Sequence, residues 1–79
     1  MSIKYIKIFE DELVAIEKVD GTVYNCVIDS TKNDLNSLEN LSSDLQDFYG
    51  ITVTLEGKES LDVEIRIKDI HSIERLNQL

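Results

Sequence analysis

Asp20-Gly21 stands between two runs rich in β-branched residues, positions 13–19 and 22–28. In that setting the dipeptide reads as the two-residue loop of a type I′ hairpin, whose central positions need φ > 0. The turn requires a strand on each side. It therefore overrides a helical reading of residues 11–19, where an acidic start suits the helix dipole and Leu13, Ile16 and Val19 recur at helical spacing. With Asp20 and Gly21 as the loop, Leu13, Ala15, Val19, Tyr24, Cys26 and Ile28 fall on one face. Val14, Ile16, Val23 and Val27 fall on the other, with Lys18 and Asn25. Both faces are largely apolar, whereas a one-sided sheet alternates apolar and polar residues. The hairpin is expected either to curl into a small barrel or to be covered on both sides.

The remaining segments are assigned by period. Residues 3–9 read as a strand, and Glu10-Asp11-Glu12 as an acidic turn leading into the hairpin. From Ser30 to Gly50 the pattern predicts one long helix: Thr31 or Asn33 as its cap, Gly50 as its stop, and Leu35, Leu38, Leu41, Leu45, Phe48 and Tyr49 as its buried stripe. Strict alternation predicts strands at 51–56 and 61–68, with Ile51, Val53, Leu55, Leu61, Val63, Ile65 and Ile67 inward. Apolar residues three apart in the tail, Ile70, Ile73 and Leu76, suggest a short closing helix or turn. The expected fold class is α+β: a bent antiparallel sheet of about five strands in the chain order β-β-β-α-β-β, one long helix packed across it, and a short C-terminal helical turn. A chain of 79 residues has room for a single domain, 1–79, and Leu38, Leu41, Leu45, Val53, Val63 and Ile65 are its expected core.

Sixteen acidic against eight basic residues give a net charge of −8, concentrated between residues 10 and 49. Binding to phosphate backbones or anionic membranes depends on clustered Lys and Arg, so direct nucleic-acid or membrane binding is not expected. The apolar run from Leu13 reaches only Ile16 before Glu17 ends it, far short of the roughly 20 residues that span a bilayer. Residues 1–7 alternate charge with apolar side chains and lack the apolar stretch of a secretory signal, so a cytoplasmic location is the default expectation.

No residue set spells out a reaction. His71 is the only histidine, which excludes a histidine-pair metal site, and it reads as an ordinary surface or edge residue. Cys26, the only cysteine, lies mid-strand and reads as a buried small hydrophobe rather than a nucleophile. Glu10-Asp11-Glu12 lacks the glycine and ligand spacing of a divalent-ion loop. Each of the three glycines is claimed by a turn or cap, so no phosphate-cradling loop remains. No catalytic, metal or cofactor residue is assigned, and no enzyme activity is expected.

What remains is the surface. Opposite the leucine stripe stand Glu39, Asp44 and Asp47, and no basic residue lies between Lys32 and Lys58. The sequence reading is a non-catalytic acidic module that binds a protein partner with a basic surface. Such an inhibitor or regulator would occlude a site that normally holds nucleic acid. The docking residues would be Glu39, Asp44 and Asp47, with Glu10, Asp11 and Glu12 beside them. In composition alone it is similar to phage-encoded inhibitors such as anti-CRISPRs and other nucleic-acid mimics; no motif carries that likeness. Two other readings stand beside it: an assembly protein working as a homodimer that covers the second apolar face of the hairpin, and a small-ligand binder, for which one helix leaves little room.

Overall fold

The computed structural model describes residues 1–57 and 61–76. The chain runs α1 (Ile3–Lys7), β1 (Leu13–Lys18), β2 (Val23–Ile28), α2 (Leu35–Glu39), α3 (Ser43–Gln46), β3 (Gly50–Leu55), β4 (Asp62–Arg66), a 3-10 turn (Ile67–Asp69) and β5 (Ile70–Arg75). All five strands form one antiparallel sheet in the order β4-β3-β2-β1-β5. The α+β class and the five-strand antiparallel sheet agree with the sequence reading. The long helix does not exist.

The hairpin forms where Asp20-Gly21 places it, but its loop has three residues, not two. The Gly21 amide donates to the Lys18 carbonyl at 2.9 Å, and the Lys18 amide donates to the Thr22 carbonyl at 2.8 Å. Gly21, at φ +91°, takes the left-handed position that closes a three-residue loop of Val19, Asp20 and Gly21. Asp20 Oδ1 accepts from the Thr22 amide at 2.9 Å and stiffens the turn. One extra loop residue slips the pairing by one and exchanges the faces of β1. Val14 therefore pairs with Cys26 and Ile16 with Tyr24, while Leu13, Ala15 and Glu17 turn away with Val23, Asn25 and Val27.

The core lies between the first of these faces and the helices. Ile3, Ile6, Phe9, Val14, Ile16, Cys26, Ile28, Leu35, Ile51, Val53, Ile65, Ile67, Ile70 and Ile73 are its buried members. Val53 and Ile65 are buried as expected, and Leu38 and Val63 pack partly against the cluster. Leu41 is half-buried, and Leu45 is exposed.

Three local expectations are corrected, each for a definable reason. Residues 3–9 show both a two-residue and a three-residue apolar period, and the latter wins: Ile3, Ile6 and Phe9 point inward, while Ile8 is exposed. Ser2 caps α1 by accepting from the Tyr5 amide at 3.2 Å. The 30–50 segment breaks into α2 and α3 because it carries two caps. Asp34 accepts from the Ser37 amide, and Ser42, in extended conformation, accepts from the Leu45 amide. Asn40, Ser42 and Ser43 all offer the backbone alternatives to helical bonding. The leucine stripe consequently loses its common face. Gly50 opens β3 instead of stopping a helix, and a Cβ there would lie 2.8 Å from Glu64 Cγ. The tail is a strand, not a helical turn. A register shift opposite Glu17 and Lys18 inserts an extra residue into β5, and this bulge lets Ile70 and Ile73, three apart, face the same core.

The register makes a quantitative contrast. Ile16→Ala should lower unfolding stability by about 2–5 kcal/mol, whereas Leu45→Ala should change it by about 0.5 kcal/mol or less. Urea titrations of the two variants check this, and equal losses would refute the broken helix.

Candidate functional site

The acidic residues proposed from the sequence fall into two groups. Glu39 on α2 pairs with Lys7 of α1 at 2.9 Å, joining the two helices. Glu12 receives the Arg75 Nε–H at 2.8 Å, and the same guanidinium lies over the Phe9 ring and donates to the Ile8 carbonyl. Asp11, at φ +62°, donates its amide to the Ile28 carbonyl and accepts from the Ser30 amide at 2.9 Å. These three carboxylates tie the chain together. Asp44 and Asp47, on α3 and at its C-cap, and Glu10 make no side-chain hydrogen bond or ion pair among the described residues.

Around Asp44 and Asp47 lies the feature that the sequence reading did not anticipate. Leu45 is 49 % exposed, Phe48 72 % and Tyr49 47 %. The four-residue helix that carries Leu45 and leads into Phe48 and Tyr49 is held by Gln46, a buried polar side chain. Its Oε1 accepts from the Ile3 amide at 3.2 Å, and its Nε2 donates to the Leu41 carbonyl at 2.9 Å. The Ile67 amide donates to the Tyr49 carbonyl and fixes the segment to the end of β4. The apolar stripe of a continuous helix becomes, after the break at Ser42, an exposed apolar edge bordered by two carboxylates. The signal that could have revealed it was Asn40-Leu41-Ser42-Ser43, a capping sequence inside the predicted helix.

Among the described residues, no helix packs on the opposite side of the sheet. Its β3–β4 half is polar. Lys32 reaches across to Asp62 at 2.9 Å and to Thr54 at 3.1 Å, and the Asn33 amide group bonds both the N–H and the C=O of Thr52, extending the ladder where β2 has ended. The β1–β2–β5 half carries Leu13, Ala15, Glu17, Val23, Asn25, Val27, Ser72 and Glu74. A depression of about 140 Å³ lies there, lined by Ala15, Glu17, Val23, Ser72 and Glu74.

Neither classical nucleophile sits in an activating environment. Burial pushes the Cys26 thiol up to about 11, its Sγ–H directed at the Tyr24 carbonyl. His71 is exposed at the β5 bulge. Among the described residues no three His, Cys, Asp or Glu side chains gather to hold a metal ion, and no helix is long and apolar enough to cross a membrane.

Asp62 is held below its ordinary value of 3.8 by the hydrogen bond from Lys32 and then by that from Thr54. Asp29 is lowered likewise by the Thr31 hydroxyl and then the Thr31 amide. A carboxyl depressed in the folded state stabilises at pH above its unfolded value, and that contribution disappears as pH falls through the folded value. The stability difference between wild type and Asp62→Asn should thus be constant above about pH 5 and shrink below about pH 4, measurable by thermal melts across the acid range. A difference that grows on acidification would contradict the Lys32–Asp62 pairing. The Cys26 thiol should resist a disulfide reagent in the native protein and react at once in denaturant.

No protein-family model matches the chain, and searches of curated proteins and of solved structures find no significant match to it.

Proposed function

We propose that this protein is a non-catalytic binding module that docks on a basic surface of a larger protein through the α3 edge. The observation that carries this reading is the exposure of Leu45, Phe48 and Tyr49 within one six-residue segment that also holds Asp44 and Asp47. Aromatic side chains are enriched at the centres of protein interfaces, and carboxylates at the rim steer a cationic partner into contact. Folding offers no account of the arrangement. Phe48 is nearly three-quarters exposed, and Asp47 sits at a helix C-terminus, where the dipole disfavours negative charge. The net charge of −8 suits a partner whose surface normally holds nucleic acid, and the module would act by occluding it.

The test is affinity capture from the source cells with immobilised wild-type protein, Phe48→Ser, and the double variant Asp44→Asn/Asp47→Asn. All three should fold alike, within roughly 0.5 kcal/mol per substitution. A partner retained by wild type should be lost from Phe48→Ser and should associate more slowly, with a weaker salt dependence, with the double variant. It should also lose its own nucleic acid when wild-type protein is added. A partner that binds both variants as it binds wild type would overturn the α3 reading.

A further inference from the structure

The helix-free face of the sheet offers a second surface with its own chemistry. On β1, Ala15 lies opposite Glu74 of β5, and Glu17 lies opposite Ser72. The two glutamates are thus diagonal neighbours across the β1–β5 pair, with the small Ala15 and Ser72 at the alternate positions. Val23, opposite Glu17 on β2, forms the far wall. Large side chains at 15 and 72 would fill this space; the small ones leave the depression of about 140 Å³. An engineered apolar cavity of about 150 Å³ admits a benzene ring, so the space suits one planar group or one long side chain.

The electrostatics of the depression are one-sided. Like charges at neighbouring cross-strand positions are unfavourable, and the fold does not relieve the Glu17–Glu74 juxtaposition. The ion pairs among the described residues are Lys7–Glu39, Lys18–Asp20, Lys32–Asp62 and Arg75–Glu12, none of which involves either glutamate. Among the described residues, Lys32 and Arg66 are placed on this side of the sheet at β3 and β4, at the other end of the strand order. A second copy of the chain is a poor occupant. A twofold contact through this face would set Glu17 and Glu74 against their own equivalents, in a protein already at −8.

We infer that this face receives an extended segment of a partner protein with an arginine side chain seated in the depression between Glu17 and Glu74. Ala15 and Val23 give the arginine stem apolar contact, and the planar guanidinium has donors enough to reach two carboxylates and the Ser72 hydroxyl together, which a lysine ammonium at one point does not. The surface lies across the sheet from α3, so the inference goes beyond the function proposed above and does not depend on it.

The test uses a defined probe, a blocked Gly-Arg-Gly peptide, titrated into isotopically labelled protein and followed by amide chemical shifts. Its counterpart with citrulline keeps the shape of arginine without the charge. Saturable shifts should centre on Ala15, Glu17, Val23, Ser72 and Glu74, and should weaken at least about fivefold with the citrulline peptide, with added salt, or in Glu17→Gln/Glu74→Gln. That variant should be no less stable than wild type, because it removes a repulsion. Asp44→Asn/Asp47→Asn should bind the peptide as wild type does, which separates this site from the α3 edge. Shifts spread over all acidic residues, equal shifts with the citrulline peptide, or no saturation would each overturn the inference.

Discussion

The architecture depends on the register of the first hairpin. Gly21 can hold φ +91° without a Cβ clash, and the three-residue loop it closes decides that Val14 and Ile16, rather than Leu13 and Ala15, look toward Cys26 and Ile28. β3 and β5 then add to the outer edges of this pair and must present Ile51, Val53 and Ile73 on the same side. A slip of one residue would turn β1 over and set its core side chains against the solvent. Every later surface, covered or open, follows from that choice.

The helices are a consequence of the sheet rather than a framework for it. Segments of four and five residues are too short to be stable alone, because the nucleation cost of a helix is recovered only over several turns. They persist because specific groups anchor them. Gln46 links α3 to the first residue of α1, Lys7–Glu39 links α1 to α2, and Asn33 fills the ladder beside Thr52 just before α2 begins. Each anchor joins residues far apart in sequence, and those of Gln46 and Asn33 also satisfy backbone groups that a buried chain cannot leave unpaired. An interior built mainly from isoleucine and valine suits this arrangement, since most of the β-branched side chains come from the strands, while the α-helices contribute only Ile3, Ile6 and Leu35, joined by Phe9 just after α1 and Ile67 in the 3-10 turn.

Two parts of this fold were legible in the sequence, and the reason is the same for both. The Asp20-Gly21 hairpin and the alternation of β3 and β4 are local signals, each contained within a dozen residues. What escaped was non-local or doubly coded. Ile3-Ile6-Phe9 and Ile70-Ile73 carry the same three-residue spacing, yet the first is a helix and the second a bulged strand, because only β1 with a free edge selects strand for the second. Loop length was hidden in the same way: Asp-Gly suits a two-residue loop and equally supplies the last two residues of a three-residue one. Of the residues proposed for the α3 edge, Asp44 and Asp47 stand out in the sequence through charge alone. Glu17 and Glu74 do not, since they become neighbours only when β5 pairs with β1, and Phe48 was read as core because the helix break was missed.

The two open surfaces differ in how they would hold a partner. At the α3 edge the apolar anchors are large and the carboxylates peripheral, so contact area governs the dissociation rate and charge governs encounter. In the sheet depression the carboxylates are themselves the walls, so recognition there depends on a charge-assisted bond and weakens with salt in affinity as well as in rate. The excess negative charge of −8 surrounds both surfaces. It raises the local concentration of basic partners around a molecule whose principal dimensions are only 36 by 27 by 22 Å. At that size the two faces stand more than two screening lengths apart at physiological salt, so the field of one is largely screened at the other. A basic partner close to either face is thus drawn mainly by the carboxylates of that face, and discrimination between the faces rests on this local charge together with short-range shape: exposed aromatic side chains on one, a one-side-chain depression on the other.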